Sequence, residues 1–388
     1  MLKVNVGSSI SACAKTAGKE AASNAKTGLD AIKMAFVYSS CDYNQEEMLA
    51  GVAEELPGIP LIGNTSFTGI ITSKGFISSK DGFVGVMAVS NPDMEVGIAA
   101  IERGKSPFED GKIIASQAMK AAGKACAPKF FYMEASPAEE EFYLKGISSV
   151  IGRVPFFGGS AADNSISGNW KLYTNSKEFS DGAAAAFFYG DLEMTNLFTG
   201  AYRETEDFGV ITKVKGNRTL AEIDGVPALK KYASWTHADI NAIKGGNLLA
   251  ASVTSPLGVK DRLGDLTAIR HPMSGNDDFS IGVGNNLAEK TCIIRMEATV
   301  DELISSTGET VKALINKMDK PPVAFHLVHC GGRRAGIGDR IDEAAKSIKD
   351  AAGDIPFIVE FTFGEYGFES DNNNTCGGLM LSFTGFSK

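Results

Sequence analysis

Apolar positions along this chain gather in short runs, and one order of runs occurs three times. A run of strand length leads into a segment with helical spacing, then a Pro-containing turn opens a second apolar run, and a third run begins with glycine. In the first copy Ala35–Ser40 is predicted as a strand, Gln45–Leu56 as a helix, Ile59–Asn64 as the second strand and Asp81–Val89 as the third. In the second copy the same places are taken by Lys129–Ser136, Pro137–Val150, Val154–Gly159 and Asp181–Tyr189. The same spacing of 24 residues separates Ala35 from Ile59 and Phe130 from Val154. The third copy comes much later, as Val323–Cys330, Asp339–Ala352, Ile355–Phe363 and Gly377–Phe383.

A strand–helix–strand unit of this size normally makes a right-handed parallel crossover, and short apolar strands imply sheets covered by helices. Mixed sheets are expected, with strand order and the balance of parallel and antiparallel pairs left open, because the third strand of each copy can return either way. Between the second and third copies, the turn and alternating strand of Val214–Tyr232 lead into a Pro-started helix, which reads as entry to a new domain. The predicted fold is therefore mixed α+β and α/β, with domains over 1–214 and 215–388. Ala250–Val259, Ala268–His271, Phe279–Gly284 and Thr291–Ala298 read as further strands, and Asp301–Met318 as an amphipathic helix. Polar loops follow the second strand of each copy, at Asn64–Thr68, Gly158–Gly168 and Glu365–Thr375, and loops beyond strand ends are frequent ligand sites.

Composition narrows the function classes. With 38 Lys and Arg against 47 Asp and Glu, the net charge is -9, and no long basic run offers the phosphate contacts on which nucleic-acid affinity rests. No stretch has the ~20 apolar residues of a membrane-spanning helix, and the start of the chain does not read as a signal peptide, so a cytoplasmic location is expected. The six cysteines are scattered without a C-x-x-C, which signals neither a disulfide framework nor structural zinc. Four histidines without metal-ligand spacing, and acidic positions Asp277, Asp278 and Asp371 without the alternation of a calcium loop, give no metal site. GGRRAGIGDR fits neither the phosphate-loop nor the dinucleotide fingerprint, so no cofactor is expected.

Four segments together resemble the FIST family, in which an N-terminal and a C-terminal FIST domain form a sensory module. They are the small-residue helix Ala17–Ala25, IPLIGNTSFTG, GNRTLAEIDGVPAL, and HCGGRRAGIGDR followed by FTFGEYGF and a closing NNT. The resemblance covers nearly the whole chain. It implies binding of a small ligand, an amino acid or related metabolite, inside the cell, with the signal passed to other modules. No such module is recognisable at either end, so the expected output acts in trans on a signalling protein.

The candidate ligand residues begin with Arg333 and Glu365, because a free amino acid needs a cation for its carboxylate and an acid for its ammonium group. A structural salt bridge between the two is the competing reading. Asn64, Thr65 and Ser66 after one buried strand, Ser160, Asp163 and Asn164 after its counterpart, and Asn374 and Thr375 before the last strand complete the set. Short polar side chains there can bind a ligand, and they also cap helices and close turns. No catalytic residue is assigned. The alternative is a metabolite-processing enzyme using Cys330 or Glu365 in a cleft between domains, but strand alternation sends His329 away from Cys330 and leaves His326 roughly 13 Å off.

Overall fold

The computed structural model describes residues 1–175, 177–260, 267–368 and 374–388; Asp371 lies outside them. The first copy of the repeat is larger than its sequence signal. It runs β1 (Lys3–Ser9), α1 (Ala14–Lys26), β2 (Ile32–Ser39), α2 (Gln45–Glu55), β3 (Leu61–Thr65), the paired β4 (Ile70–Thr72) and β5 (Gly75–Ile77), then β6 (Val84–Ser90). The second copy repeats that order with β7 (Met94–Glu102), α3 (Pro107–Ala121), β8 (Phe130–Ala135), α4 (Glu140–Ile151), β9 (Phe156–Ser160), β10 (Leu172–Thr174), β11 (Lys177–Phe179) and β12 (Gly182–Gly190).

The third copy opens with β13 (Glu193–Thr199) and is interrupted by an inserted antiparallel unit. That unit comprises β14 (Arg203–Lys215), β15 (Thr219–Ile223), β16 (Val226–Pro227), α5 (Ala228–Thr236), α6 (Asn247–Ala251), β17 (Leu257–Lys260), β18 (Thr267–Arg270), β19 (Pro272–Gly275), β20 (Ile281–Val283) and β21 (Cys292–Glu297). The copy resumes with α7 (Val300–Lys317), β22 (Ala324–Cys330), α8 (Gly331–Ile337), α9 (Ile341–Ala352), β23 (Phe357–Thr362), the paired β24 (Glu365–Phe368) and β25 (Asn374–Gly377), and β26 (Leu381–Ser387).

Each copy builds a sheet of the same order and completes a neighbour's. The sheets run β1-β6-β2-β3, β7-β12-β8-β9 and β13-β26-β22-β23, and they are extended by β10-β11, β24-β25 and β4-β5 respectively. Every copy thus lends its short strand pair to another copy, in a closed cycle. The central pairs β2/β3, β8/β9 and β22/β23 are parallel and the other pairings antiparallel, which is the expected mixture.

The Pro-containing turn has a specific use. Ala35, Phe131 and Phe325 donate their backbone N–H groups to the carbonyls of Pro60, Pro155 and Pro356 at 2.9, 3.0 and 3.0 Å, one bond per copy. A proline lacks a donor but keeps its acceptor, so it can start a buried strand while pairing on one side. These bonds align the copies and put Phe36, Tyr132 and His326 in one position. Their rings meet at the centre, with centroids 5.1 Å (Phe36–Tyr132), 4.8 Å (Phe36–His326) and 5.5 Å (Tyr132–His326) apart.

Outside the sheets, helices cross at glycines. A Cβ at Gly18 would stand 2.1 Å from the Met48 carbonyl oxygen, and one at Gly51 would stand 2.0 Å from that of Lys15, so α1 and α2 touch backbone to backbone. Gly111 and Gly146 make the same crossing between α3 and α4.

Two readings of local structure need correction. Ala250–Val259 is not one strand: Leu248–Ala251 continue α6, whose Leu and Ala favour helix, and the strand starts only at Leu257, after Pro256. Glu365–Thr375 is not a free loop, because its ends form β24 and β25. Their backbone groups pair with each other, and β24 also pairs with β9 of the second copy.

Candidate functional site

A cavity of about 510 Å³ lies where all three copies meet the inserted unit. The first copy supplies Phe67, just past β3, and the second supplies Ala138, Ile166 and Trp170. From the third come Cys330, Gly331, Gly332, Ala335 and Phe363, and the inserted unit closes the space with Arg218, His271 and Asn285 among apolar neighbours. Two of the wall positions carry backbone strain. Ala138 has φ 103° and Ile166 φ 58°, in a region that L residues, and β-branched ones above all, rarely adopt, and such positions cluster at functional sites.

Four polar side chains reach this wall, and their states differ. Arg218 is fully engaged: Nη2 donates to Glu140 at 3.1 Å and to Glu141 at 2.5 Å, Nη1 donates to the Gly284 carbonyl at 2.5 Å, and Nε donates to Asn286 Oδ1 at 3.2 Å. Glu140 is buried, and loss of water together with the neighbouring Glu141 charge raises its pKa to about 7 against the pull of Arg218. His271 is neutral, since burial lowers its pKa to about 4, and its Nε2 donates to the Leu249 carbonyl at 3.0 Å.

Cys330 ends β22 and caps α8. Its sulfur accepts N–H groups from Gly332 at 3.3 Å and Leu379 at 3.2 Å. Those donors favour a thiolate, but burial, followed by the charge of Glu365, outweighs them and pushes the thiol pKa up. The fourth group is Asn285. It is 1% exposed, and neither atom of its carboxamide has a hydrogen-bond partner. Sequence reasoning did not find Asn285 or the role of Arg218; the only signal was that Arg218 belongs to the GNRT turn at the entry to the inserted unit.

The sequence-selected residues are distributed over several places. Arg333 and Glu365 are both fully buried near Cys330, do not line the cavity, and are not joined by an ion pair. The Arg333 guanidinium donates from Nη2 to the Leu303 carbonyl at 3.0 Å and to Ser306 Oγ at 2.7 Å, while Nε and Nη1 have no partner. Glu365 accepts from Thr362 Oγ1 at 3.0 Å and from the Met380 N–H at 2.9 Å, and burial raises its pKa to about 8.

Asn64 lies at the molecular centre, donating to Glu360 at 2.9 Å. Above it Tyr38 OH meets His326 Nε2 at 2.5 Å, and Tyr132 OH donates to Glu360 at 3.2 Å. Thr65 bonds the Lys171 backbone, Ser66 donates to the Gly69 carbonyl at 2.7 Å, and Ser160 pairs with Tyr366 OH at 2.6 Å. Asp163 gathers the N–H groups of Ser165, Ser167, Gly168 and Asn169, which closes a turn. Asn164 ties Thr68 to Asp42, and Asn374 donates to the Val154 carbonyl at 3.0 Å beside Thr375 in β25. No group of three or more metal-ligating side chains occurs among the described residues, and no helix there is long and apolar enough to cross a membrane.

Two family profiles match the chain, the FIST N domain over residues 33–226 and the FIST C domain over residues 228–367. No curated protein matches it. Among solved structures it is similar to cyanuric acid hydrolase from A. caulinodans, at 10% identity and a TM-score of 0.38, with 99% of each chain covered. It is also similar to T. maritima PurL complexed with AMPPCP, at 10% identity and a TM-score of 0.24, over 99% of this chain and 72% of that one. At these scores neither likeness carries an argument.

Proposed function

The chain belongs to the FIST family, whose domains are recognised as sensory domains of signal transduction, and from that premise we propose that it binds a small metabolite in the cavity between the three copies and the inserted unit. Binding would then be passed to a signalling partner in trans. One observation carries the reading: the largely apolar cavity is walled by segments from all three copies and the insert, so an occupant touches every part of the chain at once. The Arg218 contact with Glu140 and Glu141 spans the same junction, which gives occupancy a route to the relative position of the two parts.

An enzyme working through Cys330 or Glu365 fits less well. Burial raises the Cys330 thiol pKa and so favours the unreactive thiol, and Glu365 is fully buried and does not line the cavity. Native mass spectrometry of the protein taken directly from cells tests the binding reading. A co-purified small mass is expected on the wild type and absent from Ala335→Phe, which fills the cavity from an exposed position on α8. A mass retained at full occupancy by Ala335→Phe would place the ligand elsewhere.

A further inference from the structure

We propose that the Asn285 carboxamide is the recognition element of this cavity, and that the ligand it takes is an uncharged molecule with an apolar body and one carboxamide group. The inference rests on the cavity being a ligand site and adds what the ligand must look like.

An amide buried at 1% exposure normally finds partners for both its donor and its acceptor, and Asn285 finds neither. It stands on the wall of a cavity whose other side chains are mainly apolar, among them Phe67, Trp170, Val253 and Phe363. Gly378, also on the wall, lies beside the amide: a Cβ there would stand in ordinary contact, 3.4 Å from Asn285 Oδ1. A second carboxamide matches the first, each giving an N–H to the other's oxygen, and leaves no polar atom of either unpaired.

Among the described residues, charged ligands find no counterpart in this cavity. Every nitrogen of Arg218 is already engaged, and His271 is neutral with its Nε2 on the Leu249 carbonyl. The nearby carboxyls, Glu140 and Glu141, are turned onto Arg218. A carboxylate, an ammonium group or a free amino acid would therefore lose its water without gaining an opposite charge. The apolar wall accepts an aromatic or aliphatic body, for which Phe67, Trp170 and Phe363 provide ring faces and edges.

Three probes of nearly one shape separate the possibilities: phenylacetamide, phenylacetate and 2-phenylethylamine, titrated calorimetrically into the full chain. Phenylacetamide should bind at least ~10-fold more tightly than either charged probe. Asn285→Leu, which keeps the shape and removes the orphan amide, should weaken phenylacetamide by ~10-fold or more while raising the melting temperature of the empty protein. Asn285→Asp, a control of the same shape, should move the preference from the amide towards the amine. Equal or tighter binding of phenylacetate or the amine by the wild type, or unchanged phenylacetamide affinity in both variants, would overturn the amide assignment and leave the cavity as a ligand site. Binding of none of the three at millimolar concentration would overturn both.

Discussion

The Arg218 guanidinium, in the inserted unit, lies 3.1 Å from the carboxylate of Glu140, which begins α4 in the second copy. Glu140 is 1% exposed on its side chain and Arg218 18% exposed, so the pair is largely shielded from solvent. Removing one partner of such a pair leaves the other charge buried and uncompensated. Arg218→Met should therefore cost about 3 kcal/mol, and Glu140→Gln with Arg218→Met together should recover part of it. Urea melts of the two single variants and the double variant read the coupling directly. Additive effects would mean that the contact does not hold the two parts together.

Buried titratable groups set the pH dependence of stability. Burial raises Glu360 and Glu140 to about 7 and Glu365 to about 8, while it lowers His271 to about 4 and His326 to about 3. The lowered value for His326 follows from its complete enclosure at the centre of the molecule. A carboxyl raised above its unfolded pKa stabilises the fold while protonated; that contribution is complete below the unfolded value and is lost as pH rises through the folded one. A lowered histidine acts oppositely: its contribution grows as pH rises from the folded value and is complete above the unfolded value of 6.5. The two trends oppose each other below pH 6.5, and above it only the carboxyls still change. Stability should therefore fall between pH 6.5 and 8, by up to ~1.4 kcal/mol per pH unit for each titrating group, and Glu365→Gln should flatten the slope. Denaturant melts across that window check the sign; a rise in stability would contradict it.

Thiol reactivity should follow burial. Cys13, Cys126 and Cys292 are exposed, and hydrogen bonds from Thr16 lower the pKa of Cys13, whereas Cys330 and Cys376 are buried with raised values. Timed iodoacetamide labelling read by peptide mass spectrometry should show Cys13 modified early and Cys330 only on unfolding. Early labelling of Cys330 in the folded protein would restore the case for a nucleophile.

The glycine crossings are tests of the repeat. Gly18→Ala and Gly111→Ala each push a methyl group into a carbonyl oxygen of the facing helix, at 2.1 and 2.3 Å. Each should destabilise the chain by about 1–3 kcal/mol, the usual cost of overpacking. A thermal melt that leaves either variant at the wild-type midpoint would mean that the helices separate without cost.

Much of the fold was legible because one local rule recurs. The Ile-Pro and Val-Pro turns before β3, β9 and β23 give each copy its parallel pair, and in the first two copies they follow the preceding strand at the same spacing of 24 residues. The exchange of β4-β5, β10-β11 and β24-β25 between copies left no such mark, since strands of three or four residues carry too few side chains to show alternation. The polar residues after the second strands stood out by composition, and many of them bond backbone of neighbouring segments. The cavity was not legible. Its wall is drawn from separate stretches between Phe67 and Gly378, most of them apolar, and Asn285 stands out only because its expected partners are missing in three dimensions.

Ligand binding in the cavity is tested most directly by a thermal-shift screen of small metabolites, both charged and uncharged, on the wild type and Ala335→Phe in parallel. A ligand that binds the folded state alone adds about 2.7 kcal/mol at a hundredfold excess over its dissociation constant. The expected result is a raised melting temperature with at least one compound in the wild type and none with that compound in Ala335→Phe. An equal rise in both proteins, or no rise with any compound, would contradict binding in this cavity.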